Sequence, residues 1–519
     1  MTSKVFSGAI VGLECEPIEV ECDAGTGMFS FVIVGLPDAA VQESRERVRA
    51  AIKNSGYMFP RGRVTVNLAP ADIRKEGPVY DLPIALSVLL AEDRSSDGAA
   101  TRHFACDISR SIFIGELSLD GTVRSVPGIL SLVRMARQKG FEHVFIPKEN
   151  FKEASLIAGM ALYPVEALVQ VVRHVQGEEP ISASMSEGMF LQREAVQQFD
   201  VDMNQIKGQA HAKRALEIAA AGGHNILFWG PPGSGKTLLS RALPSILPPL
   251  TEEESLEVTQ IHSIAGLVSH DQPLVRMRSF RSPHHTSSVV ALIGGGSIPR
   301  PGEVSLAHRG VLFLDELPEF PRSVLESLRQ PLEDGYVVVS RSAGTVRFPA
   351  KFMFVATQNP CPCGNYGDGA RQCTCSIPQI LKYQKRISGP LLDRIDMHCE
   401  VPRVGGASFQ DTNASETSAA IRARVEQARA MQSDRFSGTA LICNADMSGA
   451  QSETHCALDA QCIMCMRTAA EQFRLSARSY YRVIKVARTI ADLSGSKDMT
   501  RAHLAESLQY RPKQTMDII

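Results

Sequence analysis

The chain has 519 residues, too many for one core, and its composition (44% apolar, 21% charged, a single Trp) suits a soluble globular protein of roughly two to four domains. A formal net charge of −1 excludes a uniformly basic surface, so any nucleic-acid contact must come from local basic patches. No apolar run approaches the ~20 residues of a membrane span, the N-terminus lacks the apolar stretch of a secretory signal, and the twelve cysteines therefore read as thiols or metal ligands in a cytoplasmic protein.

Residues 1–175 alternate short apolar runs with helical spacing, which predicts an α/β domain. Phe31–Val34, Val64–Leu68 and Ile112–Gly115 read as strands. Ala39–Ser55, Asp81–Ala91 and Ser131–Lys139 read as helices, the last ended by Gly140. Two stretches resemble the Lon-type proteolytic domain, a variant of the ribosomal-protein-S5-like fold: Lys75-Glu76-Gly77-Pro78-Val79-Tyr80-Asp81, and Gly115-Glu116-Leu117-Ser118-Leu119-Asp120-Gly121-Thr122-Val123. Where such a protease needs its nucleophilic Ser this chain has Val79, and where it needs the partner Lys it has Leu130. A Ser–Lys dyad needs both groups, so a structural or interaction domain without peptidase chemistry is expected. Residues 176–198, mixing Gly, Pro, Ser and Glu, read as a linker.

Residues 199–403 carry the chemistry. After a helix over Ala210–Ala221, the apolar run Asn225–Trp229 leads into Gly230-Pro231-Pro232-Gly233-Ser234-Gly235-Lys236-Thr237 and a helix start. Strand, glycine turn and helix is the setting in which this spacing cradles a triphosphate, with inward-pointing N–H groups and a helix N-terminus. Lys236 would reach the β/γ-phosphates and Thr237 would hold Mg²⁺. Val311-Leu312-Phe313-Leu314 has the character of a buried parallel strand, and it ends in Asp315 and Glu316. Acids at a strand's carboxyl end stand where open α/β sheets bind ligands. Asp315 would complete the Mg²⁺ shell and Glu316 would polarise the attacking water. Phe352–Gln358 reads as a further strand, ending at Asn359, which would orient that water. Leu391-Leu392-Asp393-Arg394 follows, and Arg394 suits contact with the γ-phosphate of an adjoining protomer because its rigid fork of donors stays charged.

Four cysteines interrupt the same segment as Cys361-Pro362-Cys363 and Cys373-Thr374-Cys375, with Gly364, Gly367 and Gly369 between them. Four thiols on a glycine-rich loop suit a structural Zn²⁺ that pins the chain after Asn359; the alternative is redox-inert thiols. Cys456, Cys462 and Cys465 read as core.

Residues 404–519 open on a polar linker, Gly405–Ser415, and continue as helices over Glu416–Met431, Leu458–Gln472, Ser476–Leu493 and Thr500–Gln509: a helical lid. Arg482, Lys485 and Arg488 read as a solvated face opposite the stripe Tyr480, Ile484, Ala487 and Ala491.

In order and wording, residues 199–519 resemble an AAA+ ATPase of the magnesium-chelatase branch, and the whole chain resembles the bacterial YifB/ComM type. The fold this implies is α/β: a P-loop parallel-sheet core with an N-terminal S5/Lon-like domain and a C-terminal helical lid. The resemblance further implies a homo-hexameric ring with ATP and Mg²⁺ between subunits. Asn359 would be the first sensor, Arg394 the trans-acting finger and Arg478 a second sensor reaching the γ-phosphate in cis. In such rings the insertion carrying Arg276, Arg278, Arg281, His284, His285 and Arg300, and the hairpin carrying Arg341 and Arg347, line a central channel. Phosphate contact there points to single-stranded or branched DNA and to branch migration of recombination intermediates. The alternative for these arginines is ordinary surface or subunit contact. The alternative functions are a chelatase- or chaperone-like ATPase acting on a protein partner and, last, an ATP-dependent protease. No membrane partner is expected.

Overall fold

The computed structural model describes residues 2–96, 107–186, 199–269, 271–296, 299–341, 344–369, 371–403 and 416–512. Residues 187–198 of the first expected linker, the second linker Gly405–Ser415, the hairpin residues Ser342 and Ala343, and the Arg341 side chain lie outside that description. The chain forms two compact units: Met1–Arg193 with the inserted segments Glu252–Val275 and Ser340–Arg347, and the remainder.

The first unit is built on an eight-stranded mixed sheet. Its centre is a long antiparallel hairpin, Thr2–Val11 with Glu14–Gly25, turned at Gly12 (φ +71°) and Leu13. A residue with positive φ suits so tight a loop. The strands Ser30–Val34, Arg63–Ala69 and Ser111–Phe113 match the sequence reading. Helix Ala39–Asn54 starts where the Asp38 carboxylate accepts from Val41 N at 2.8 Å, which satisfies one of the otherwise orphaned first-turn donors. Helix Asp81–Ser96 turns almost its whole described length inward. Val79 packs partly buried between two apolar clusters and Leu130 is buried in one of them. The inserted helix Glu252–Ile264 joins this unit by packing on helix Ile129–Gln138, where Arg134 Nη1 donates to Gln260 Oε1 at 3.0 Å and Gly128 N donates to Ser263 O at 3.1 Å.

The second unit carries a five-stranded, all-parallel sheet in the order Phe280–Arg281, Val311–Leu314, Met353–Gln358, Ile226–Trp229, Met397–Glu400. The strand Val311–Leu314 is buried along its whole length, as an apolar run flanked on both faces must be. Helices Ser418–Arg435 and Ala477–Leu493 pack against helix Ala210–Gly222, while the lid keeps a cluster of its own that includes buried Cys456 and Cys462, with Cys465 partly buried against it. Ser476 caps helix Ala477–Leu493, its hydroxyl accepting from Ser479 N at 3.2 Å, and Gly495 (φ +68°) follows the helix end.

One expectation about this helix fails. Arg482 and Arg488 do not form a solvated face: they are 5% and 3% exposed. Arg488 is held by Asp492, itself buried, with Nη2 to Oδ1 at 2.9 Å, and Arg435 reaches the same carboxylate. Arg482 donates to Asp393 O and lies 3.8 Å from Asp396, and Lys485 Nζ donates to Ala445 O at 3.0 Å. The charges are buried because carboxylates and carbonyls from other elements pair with them, and a helical wheel cannot show those partners. Among the described residues no helix is long and apolar enough to cross a membrane.

Candidate nucleotide site and four-thiol cluster

The carboxyl ends of three adjacent strands meet at one edge of the parallel sheet. Strand Ile226–Trp229 leads into the phosphate loop, strand Val311–Leu314 into Asp315 and Glu316, and strand Met353–Gln358 into Asn359. Their side chains are already in contact. Lys236 Nζ donates to Gly230 O and Pro231 O, both at 2.8 Å, and to Asn359 Oδ1 at 3.2 Å. Thr237 Oγ1 donates to Asp315 Oδ2 at 3.0 Å. Burial pulls the Lys236 ammonium down to about 8, against the opposing pull of Asp315 and Glu316. An anionic phosphate would remove that penalty by supplying the missing counter-charge.

The loop is shaped for such a group. Gly233 and Gly235 sit at φ +75° and +92°, left-handed conformations that let the loop turn tightly, and a Cβ added at either would meet nothing within 4 Å. Gly230 is different: a Cβ there would stand 2.2 Å from Val401 O, so glycine is required for packing. The Ser234 hydroxyl is buried and has no hydrogen-bond partner. The unsatisfied hydroxyl, the open cradle, and a hydroxyl and carboxylate 3.0 Å apart fit a nucleotide with Mg²⁺.

Two residues that sequence reasoning passed over complete the site. Thr357 Oγ1 donates to Asp315 Oδ1 and accepts from Glu316 N at 2.9 Å, which fixes both acids. Its signal was available: it lies two residues before Asn359, and strand side chains alternate. Gln209 Nε2 donates to Ser234 O at 3.1 Å and Pro402 O at 2.7 Å, tying the phosphate loop to the chain after the edge strand. Glu316 is exposed with φ +53°, in the left-handed region just past the strand end.

Arg394 and Arg478 stand together elsewhere in this unit. Both make their ion pairs with Glu333: Arg394 through Nη2 to Oε2, and Arg478 through Nη2 to Oε1 at 3.5 Å. Of the arginines expected to meet phosphates, Arg281 forms a two-pronged pair with Glu303 at 2.6 and 2.7 Å. Arg278 donates to the carbonyls of Pro248 at 2.7 Å and Arg309 at 2.6 Å. Both are structural within this unit, whereas Arg300 is exposed and the rings of His284 and His285 lie 4.0 Å apart near the surface.

The four cysteines converge. Cys361, Cys363, Cys373 and Cys375 place their sulfurs within 4.8 Å of one another, with Cys361 and Cys363 3.4 Å apart and Cys363 and Cys373 3.6 Å apart. Tyr366 N donates to Cys361 Sγ at 3.3 Å and Cys375 N to Cys373 Sγ at 3.4 Å. Backbone N–H groups aimed at sulfur favour thiolate, the form that binds metal. The loop also touches the nucleotide site: a Cβ on Gly364 would meet Pro232 Cδ at 2.6 Å.

Family models cover most of the chain. That of magnesium chelatase, subunit ChlI, matches residues 202–409, a second for subunit ChlI of Mg-chelatase matches 19–150, and the ChlI C-terminal model matches 415–511. The chain is 42% identical over 514 residues to competence protein ComM of Haemophilus influenzae, covering 98% of this chain and 97% of that one. It is 40% identical over 510 residues to the uncharacterized protein YifB of Escherichia coli, covering 98% and 97%. The magnesium-chelatase 38 kDa subunit of Cereibacter sphaeroides is 26% identical over 171 residues, 30% of this chain and 51% of that one. With a phosphate loop, acidic strand end and polar strand end on one parallel-sheet edge, and with near full-length relatives, the chain belongs to the magnesium-chelatase ChlI family of AAA+ proteins, in its ComM/YifB-type branch.

Proposed function

We propose that the protein is a Mg²⁺-dependent ATP hydrolase whose subunits form a hexameric ring and whose turnover moves DNA, with branched recombination intermediates as the substrate class. The observation that carries the ATPase reading is the assembled group Lys236, Thr237, Asp315, Glu316, Thr357 and Asn359 at one sheet edge. Lys236 and the loop N–H groups hold the phosphates, Thr237 and Asp315 hold the metal ion, and Glu316 takes the proton of a water oriented by Asn359. Arg394 and Arg478 both pair with Glu333, and on that proximity we read both as serving one target, the γ-phosphate of a neighbouring subunit's nucleotide, with Arg478 acting in trans rather than in cis. The DNA reading is supported by the similarity to a competence protein and by the exposed Arg300 and Arg347 on two separate two-stranded sheets. Val79 and Leu130 leave the N-terminal domain without a Ser–Lys dyad, and it serves as an interaction domain.

A second reading, remodelling of a protein partner, has its own support in the magnesium-chelatase subunits among the relatives. The two separate in one assay. ATPase stimulated by forked or four-way DNA, fading steeply as salt rises, supports phosphate contact. Turnover indifferent to every DNA form refutes the motor.

Cys361, Cys363, Cys373 and Cys375 would hold a structural Zn²⁺, their four soft sulfurs suiting that ion in a reducing compartment. Metal analysis of the purified protein should find about one Zn²⁺ per chain; a value near zero refutes this part alone.

A further inference from the structure

Arg394 and Arg478 are far apart in sequence and stand on different elements. Arg394 follows the short helix Gly389–Leu392, and Arg478 lies in the first turn of the lid helix Ala477–Leu493. The fold brings both guanidinium groups to the two oxygens of one carboxylate, Glu333. Arg394 is folded back rather than extended: its side chain is 12% exposed, Nη1 donates to Pro390 O at 2.6 Å, and Nε is buried without a partner. Glu333 itself is 49% exposed and lies in the last turn of helix Arg329–Asp334, just before the hairpin that begins at Tyr336.

Two guanidinium groups held this close repel each other unless an anion lies between them. A single carboxylate supplies that anion, and Glu333 is it. Its strength is suited to exchange. A half-exposed carboxylate binds arginine weakly because water competes, whereas a γ-phosphate carries more charge and offers oxygens in the geometry of the guanidinium fork.

We propose that Glu333 is a positioning residue for hydrolysis: a shared seat that keeps Arg394 and Arg478 paired and aimed, and yields them together to the γ-phosphate of the adjoining subunit's nucleotide. Release also frees the end of helix Arg329–Asp334, the element that leads directly into the hairpin, so one exchange reports nucleotide state to lid helix and hairpin alike. The proposal rests on the reading that Arg394 acts across a subunit boundary.

The test is Glu333→Gln, which keeps size and removes charge, with Glu333→Asp as the conservative partner. Glu333→Gln should lower kcat for ATP by about 10²-fold, as a misaimed catalytic group does, with KM nearly unchanged because the subunit's own phosphate loop is intact. Glu333→Asp should recover most of that loss. In an Arg394→Ala background, Glu333→Gln should add nothing further.

Mixed rings then separate the two readings. Lys236→Ala subunits cannot hold nucleotide but keep their arginines and seat. Mixed with Glu333→Gln subunits, they should restore turnover at the boundaries where the two complement. If Arg394→Ala and Lys236→Ala subunits also complement, the boundary-spanning arginine stands. If that pair complements and Glu333→Gln alone turns over at the wild-type rate, or loses turnover that mixing does not restore, the seat is refuted. If Arg394→Ala and Lys236→Ala fail to complement, the underlying reading falls, and the seat with it.

Discussion

The contact between the thiol loop and the phosphate loop makes a measurable demand on Gly364. Its φ is +80°, a left-handed conformation, and a Cβ there would stand 2.6 Å from Pro232 Cδ and 2.9 Å from Cγ. Gly364→Ala therefore carries two costs. The left-handed backbone costs an alanine about 1–2 kcal/mol, and forcing a methyl against a rigid proline ring costs about 1–3 kcal/mol. Something must move. If the four sulfurs hold the proposed Zn²⁺, the thiol loop is the stiffer partner, and Pro232 and the cradle beside it should give way. If about 1.4–2.8 kcal/mol of this strain is borne by the phosphate loop, nucleotide affinity falls about 10- to 100-fold. A fluorescent ATP analogue titrated against metal-loaded protein reads that shift directly. After chelation of the metal the thiol loop can recoil, and the penalty should shrink toward the parent value. Unchanged affinity in metal-loaded Gly364→Ala, with the fold intact by circular dichroism, would show that the two loops are not mechanically joined.

Glu316→Gln should bind ATP as tightly as the parent while hydrolysing it about 10²–10⁴-fold more slowly, the range expected for loss of a general base; single-turnover kinetics with parent-like rates would remove Glu316 from that role. Thr357→Val deletes the hydroxyl that accepts from Glu316 N at 2.9 Å and leaves that N–H and the Asp315 carboxylate each short of a partner. The variant should lose about 1–3 kcal/mol, seen as a raised Mg²⁺ requirement for nucleotide binding, and an unaltered Mg²⁺ titration counts against it. Burial, and next the Arg482 charge, push the buried His398 down from its ordinary 6.5 to about 4. The folded state therefore refuses a proton that the unfolded chain accepts, so this group's contribution is complete above pH 6.5 and is lost as pH falls toward 4. About 3 kcal/mol is at stake over that window. Urea unfolding of His398→Gln should show a flatter pH dependence there, and an identical slope would refute the assignment.

The placement of the candidate site's residues was legible because each piece sits where a strand ends. An apolar run sets the strand, the next residues fall at the sheet's carboxyl edge, and parallel order brings three such ends together. Lys236, Asp315 and Asn359 need only local sequence plus that rule. The four thiols were legible for a similar reason, since two short pairs on a glycine-rich loop have few ways to satisfy four sulfurs. The central hairpin of the first unit was missed although it carries a signal. Ile18-Glu19-Val20-Glu21-Cys22 alternates buried and part-exposed positions, but its glutamates give it the look of a polar segment until the pairing with Thr2–Val11 is known.

What stayed hidden shares one cause. Arg482, Arg488 and Arg394 look like surface charges in a helical wheel or a short motif, because one element shows a cation and not its counter-ion. Asp492 lies one turn from Arg488, yet its burial is tolerated because Arg435, from helix Ser418–Arg435, and Asn444 also donate to it. Glu333 takes Arg394 from 61 residues away and Arg478 from 145. A buried or half-buried charge is tolerated only when paired, so the pairs that hold Arg394 and the lid arginines are properties of the assembled fold. On the exchange proposed at Glu333, the same logic would make Arg394 and Arg478 positions through which nucleotide state acts at a distance. A phosphate would alter the balance of a cation already shared among elements, whereas an isolated surface arginine would have no partner to release.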